Sequence, residues 1–158
     1  SQLMNIMWKM QKWRRVIFFI SFLLQVVPVK GSYNLNIKTG TSLTAGTDAN
    51  VHYYIYGTTG DSGKVTLTTT ASHFENNRLD TFTVPQDYGY IGILKIGHDN
   101  VGNIFATPDW NLYSVEIVDN VRQDTRKVVC SCMLSSIQGL EKTLLYKSKT
   151  YGIFLNAV

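Results

Sequence analysis

Apolar and polar side chains alternate with a period of two through most of the middle of the chain. In "YNLNIKT", Tyr33, Leu35 and Ile37 fall on one face and Asn34, Asn36 and Lys38 on the other, the pattern of a strand buried on one side. "VHYYIY" repeats it with Val51, Tyr53 and Ile55. Further strands are predicted in "KVTLTTT" from Lys64, "LDTFTV" from Leu79, "IGILKI" from Ile91 and "WNLYSVEIV" from Trp110. Trp110 and Leu112 share a face, which assigns Trp110 to the core. The turn-rich stretches "TGTSLTAGTD", "GTTGDSG", "PQDYG" and "GHDNVGN" separate the runs. No helical period interrupts residues 32–119, so the pattern predicts a small all-β sandwich.

Both ends of the chain depart from this pattern. Lys9, Lys12, Arg14 and Arg15 precede the apolar run "VIFFISFLLQVV" and then "PVKG". Such a layout predicts a signal peptide over residues 1–31, cleavage before Ser32, and a secreted, extracellular product. The apolar run falls short of the roughly 20 residues needed to cross a bilayer. Past Asn120 the period fades and the charge reverses. Residues 32–119 carry 4 basic and 9 acidic side chains, residues 120–158 carry 6 and 2. The expectation is a sandwich over 32–119 and an atypical basic tail over 120–158, less ordered apart from an edge strand in "KTLLYKSKTYGIFL".

Charge and chemistry narrow the function. The formal net charge of +4 rests on the N-terminal segment; without it 10 basic and 11 acidic residues remain. A nucleic-acid footprint is therefore unsupported. His52, His73 and His98 lack the spacing of a zinc hydrolase, and the chain has no Gly-x-Ser-x-Gly elbow and no phosphate loop. The reading is non-enzymatic, with no small-molecule substrate. Cys130 and Cys132 stand one residue apart. That spacing strains a mutual disulfide, and two ligands alone make no zinc site, so they read as weakly ordered thiols or partners for another chain in preference to a redox role, for which no third ligand or helix-dipole setting is visible.

Four stretches, "TGTSLTAGTDANVHYYIYGTTGDSGKVTL", "FENNRLDTFTV", "GILKIGHDNVG" and "PDWNLYSVEIVD", resemble in order and spacing the PLAT, or lipoxygenase-homology (LH2), domain. The resemblance covers about residues 33–119. It implies an eight-stranded antiparallel β-sandwich that binds, placing an attached enzyme or channel near membranes or protein partners, often with calcium.

Asp48 closes the small-residue turn "TAGTD" just before a strand. As a turn residue it would hydrogen-bond local amides; as a ligand it would offer oxygen to calcium, which takes six to eight. By resemblance, the candidate ligands are Thr47 and Asp48 of that turn, Ser72 and Glu75 of "ASHFEN", and Asp109 of "PDW". Ser72 and His73 stand where calcium-binding members carry Asn and Asp, which lowers the ligand charge and the expected affinity. The resemblance also matches Leu43 and Phe105, with neighbouring Ile104, to the loop tips that membrane-seeking lipoxygenases insert. Two functions follow: a membrane lipid surface engaged through the loop tips, or another protein engaged by the same sandwich without lipid.

Overall fold

The computed structural model describes residues 31–70, 72–101 and 108–147. The expected leader, save Gly31, lies outside them, as do Ile104 and Phe105. The described chain is all β: β1 Tyr33–Thr39, β2 Val51–Gly57, β3 Gly60–Asp61, β4 Val65–Thr66, β5 Leu79–Val84, β6 Ile91–His98, β7 Trp110–Asp119, β8 Asp124–Leu134 and β9 Glu141–Leu145. Nine strands stand where eight were expected, two of them the short pieces β3 and β4 that pair with β2. "KVTLTTT" contributes only Val65 and Thr66.

Two antiparallel sheets face each other. One has the order β5-β1-β7-β8; the other has β3-β2-β6-β9, with β4 also on β2. The alternating residues of β1, β2 and β6 meet as the period demands, and in β7 the inward phase moves from Trp110 and Leu112 to Val115 and Ile117 where the register shifts. Tyr33, Leu35 and Ile37 from β1, Val51, Tyr53 and Ile55 from β2, Leu94 and Ile96 from β6, and Trp110, Leu112, Val115 and Ile117 from β7 form one buried core.

The outer faces differ. On β1's sheet, Thr81 Oγ1 donates to Asn36 Oδ1 at 2.8 Å, and Asn36 Nδ2 donates to Glu116 Oε2 at 2.8 Å, a polar ladder suited to water. On β2's sheet, Lys95 lies over the Tyr54 ring. Register there aligns exposed Tyr56, Ile93 and Leu145 across three strands.

The segment past Asn120 is part of the sandwich. β8 pairs with β7 from Asp119↔Asp124 to Trp110↔Leu134, and β9 pairs with β6 from Gly97↔Glu141 to Ile93↔Leu145. The expected boundary at 119/120 is therefore corrected: it falls in the turn between two paired strands. Arg122, one source of the basic charge there, binds Asp87 at 2.8 Å and Asp119 at 3.1 Å. Arg126 reaches inward from β8 to the Ile91 carbonyl at 2.9 Å. Arg122 thus offsets two acids of the preceding segment, while Arg126 pairs with Asp124 of its own. Cys130 and Cys132, expected as separate thiols, are joined to each other, with 5.1 Å between their Cα atoms.

Tyr33, at the start of β1, anchors the lower pole. Its hydroxyl lies 2.7 Å from Asp87 Oδ1 and 2.6 Å from the Gly89 carbonyl, and accepts from Tyr88 N at 2.9 Å. Burial, and then the Asp87 carboxylate, push the phenol up to about 12. The described chain also leaves the sandwich at this pole, where Tyr146 N donates to the Gly92 carbonyl.

Candidate loop-end site

Several connections reach the opposite, upper pole, among them 40–50 after β1, 67–70 and 72–78 before β5, Asp99 to Val101 after β6, Pro108 and Asp109 before β7, and 135–140 between β8 and β9. The "TAGTD" turn of the first meets those before β5 and β7. Gly46 is needed there for close approach, since a Cβ would come within 2.9 Å of the Phe74 carbonyl. Thr47 N donates to that carbonyl at 3.2 Å. Thr47 Oγ1 donates to the Pro108 carbonyl at 2.7 Å and accepts from Ala49 N at 3.2 Å. The local bond expected of Asp48 is thus made by Thr47, whose buried hydroxyl ties the turn to the strand β7 approach.

Asp48 is exposed beside a cleft of about 260 Å³ lined by Thr47, Asp48, Ala49, Thr69, Thr70, His73 and Phe74. His73 Nδ1 accepts from Thr70 N at 2.7 Å, and Thr70 Oγ1 lies 3.0 Å from Ser72 Oγ. Ser72 thus touches a lining residue without itself lining the cleft. Glu75 is exposed, with its Cα against Gly46, and Asp109 is half-buried next to Pro108. Neither lines the cleft. Among the described residues, no three His, Cys, Asp or Glu side chains gather as a metal-ligand group. The oxygens present at the cleft, one carboxylate with threonine hydroxyls, are hard donors of the kind calcium takes, and one carboxylate makes such a site weak. Leu43 projects from the same connection at 93% exposure.

Sequence reasoning missed the residues that hold these loops. Asp80, at the start of β5, is buried; it accepts from Phe74 N at 2.8 Å and from Arg78 Nε at 2.7 Å, fixing the loop that carries His73 and Glu75. Its alternation with Leu79 was the available signal, since an acid on the inward parity of a strand must find partners. Asn50 Nδ2 donates to Asp99 Oδ2 at 2.7 Å across the neighbouring pair of loops.

His98 is buried at the end of β6. Its Nε2 donates to the Leu134 carbonyl at 3.1 Å and its Nδ1 accepts from Asn100 N at 3.2 Å. Burial lowers its pKa, against the opposing pull of the Leu134 carbonyl and of Asp109 and Asp99. Below about pH 6.5 the unfolded histidine takes up a proton that the folded one resists. Stability is therefore present above that pH and is lost as pH falls from there toward the folded pKa. Urea midpoints measured between pH 7.5 and 5.5 are expected to decline, and His98→Gln to flatten the decline. An equal slope in the variant would assign it to other groups.

Residues 33–147 match the family model of the PLAT/LH2 domain. The chain belongs to the PLAT/LH2 domain family. The matched span takes in β8 and β9, so the PLAT domain here ends near Lys147, in agreement with the sheet pairing. Lipoxygenase homology domain-containing protein 1 of Mus musculus and of Homo sapiens are each 42% identical over 117 residues, 72% of this chain. The chain spans 6% of the length of these relatives. Among solved structures, coral 8R-lipoxygenase, described as activated by calcium through a C2-like domain, superposes with a TM-score of 0.63 at 25% identity over 72% of this chain and 16% of its own. The alpha-toxin of Clostridium perfringens shares the fold, with a TM-score of 0.57 at 17% identity over 78% of this chain and 34% of the toxin.

Proposed function

We propose that this PLAT domain is a secreted, non-catalytic binding module whose upper loops engage membrane lipid surfaces, with calcium at the Asp48 cleft strengthening the contact. The observation that carries the reading is the shared origin of Leu43 and Asp48: one connection offers an almost fully exposed apolar tip and, five residues on, an acid beside an oxygen-lined cleft. Buried apolar tips and a cation that links acidic protein to anionic headgroups add on one membrane face. The calcium activation described for coral 8R-lipoxygenase through its C2-like domain supports the same reading.

Co-sedimentation with phosphatidylcholine–phosphatidylserine vesicles tests it. Binding is expected to rise with calcium up to the order of 10⁻³ M, the range of extracellular modules. Leu43→Ser is expected to weaken binding about tenfold, the loss of one buried leucine. Asp48→Asn, which keeps the size of the side chain, is expected to remove the calcium dependence. Vesicles that stay unbound at every calcium level would overturn the lipid reading.

A second reading, a protein-binding module that does not touch lipid, is favoured by a different surface. Tyr56, Ile93 and Leu145 stand exposed side by side on the outer face of β2's sheet, with Tyr54 and Lys95 next to them. Tyrosine-rich patches suit protein partners. Tyr56→Ser and Leu145→Ser leave vesicle binding unchanged if the loop end alone meets lipid, and weaken partner binding under the second reading.

A further inference from the structure

The bridge between Cys130 and Cys132 occupies an irregular point of β8. Two residues of extended strand span about 6.6–6.8 Å, at the outer limit of the Cα separation a disulfide accepts. Here the separation is 5.1 Å. The pairing explains the shortening: Ser114 faces Val129 and Leu112 faces Cys132, so Tyr113 is opposed by Cys130 and Ser131 together, a β-bulge. Ser131 adopts a φ of 46°, the left-handed region that non-glycine residues seldom take. Bulge, left-handed serine and bridge are one local unit.

We propose that Cys130–Cys132 is a reversible thiol–disulfide exchange site whose oxidation state sets the conformation of this bulge. Three observations favour exchange over a structural role. The bridge closes a loop of three residues, and the chain-entropy benefit of a disulfide falls with loop length, so it adds little to global stability. Opening it lets Ser131 leave the left-handed region, which favours the dithiol. The site also lies on an edge strand with no neighbour beyond it in its sheet, with Ser131 exposed and both cysteines half-buried, so an incoming thiol has a path.

The substrate class is a small or protein thiol. Its thiolate attacks one cysteine sulfur, the Cys–Cys bond breaks, and the departing cysteine thiolate takes up a proton. A second thiol then attacks the mixed disulfide, releasing the external disulfide and leaving two cysteine thiols. Two thiols are oxidised for each bridge reduced. The reverse sequence closes the bridge. The opened bulge loosens the upper end of β8, where Leu134 faces Trp110 and accepts from His98.

The test equilibrates the folded protein in glutathione buffers of graded ratio, traps thiols by alkylation, and counts them by mass. Both cysteines are expected to interconvert together while the protein stays folded. Ser131→Gly, which fits a positive φ without a Cβ penalty, is expected to favour the bridge about fivefold, and Ser131→Val to favour the dithiol. On reduction, amide exchange is expected to rise about tenfold over residues 129–134 and 111–113 and to stay unchanged in β1 and β5. The readouts need neither lipid nor calcium, so they stand apart from the binding reading. Reduction only under denaturing conditions, a folded protein that never holds the bridge, or a Ser131→Gly variant that does not favour it would each overturn the proposal.

Discussion

A chain ending at residue 119 will not fold, although all the strands that alternation predicts, save one edge strand, lie before that point. Without β8 and β9 the molecule loses the partner along the whole of β7 and the edge that covers β6. It also loses buried Leu134 and Leu144, together about 3–6 kcal/mol of apolar burial. A domain of this size has only about 5–15 kcal/mol in total. The opened core would then expose Leu94, Val115 and Ile117 beside unpaired β6 and β7 edges, an invitation to aggregate. Urea unfolding followed by circular dichroism is expected to be cooperative for residues 32–147 and absent for 32–119. A sharp transition in the shorter chain would reduce β8 and β9 to accessories.

Replacing Trp110 with Ala is expected to cost about 3–5 kcal/mol, the range for a large buried aromatic. In a domain of this length that lowers the melting temperature by roughly 12–20 °C. Trp110 is fully buried; its indole N–H donates to Thr39 Oγ1 at 3.1 Å and its ring meets Phe74 edge-on at 5.2 Å. Phe74 lines the Asp48 cleft and stacks on Phe82 at 5.6 Å. The loss should therefore reach the loops as well as the core: amide protection over residues 72–78 should fall more than over β5's partner β1. Trp110→Phe keeps most of the volume and gives up the indole bond, so it should cost about 1–2 kcal/mol. A thermal scan of both variants checks the order. Equal losses would mean that the hydrogen bond, not the packing, dominates.

The legible part of the fold was the part in which parity is unbroken. Tyr33, Leu35, Ile37, Val51, Tyr53 and Ile55 are buried as their alternation predicts, and Trp110 lies in the core. β8 broke the code at its start, where Arg126 turns inward at a position that alternation reserves for an apolar side chain. Val128, Cys130, Cys132 and Leu134 keep the same inward parity, but Val129 and Met133 stand on the other one, so the two faces of "DTRKVVCSCML" differ too little to be read. The bulge at Cys130 and Ser131 defeated the spacing argument about the cysteines, which assumed extended geometry. At the upper pole the family's loops were recognisable, and Thr47 and Asp48 do meet the loop that carries His73. The carboxylates Glu75 and Asp109 stay outside the cleft because backbone contacts at Gly46, Phe74 and Pro108, invisible to a motif, decide which side chains face it.

Tyr33 and Tyr146 both sit at the pole away from Leu43 and the Asp48 cleft. The consequence is one of presentation. Anything joined to the sandwich at either end, whether a neighbouring module in a long chain or a biotin tag on a sensor chip, pulls on the anchored side and leaves the Leu43 tip facing outward. An end-tethered PLAT domain is thus already oriented like a brush bristle. Immobilised through its C-terminal end it should capture vesicles as well as it does free in solution, whereas coupling through a cysteine introduced at Leu43 should silence it.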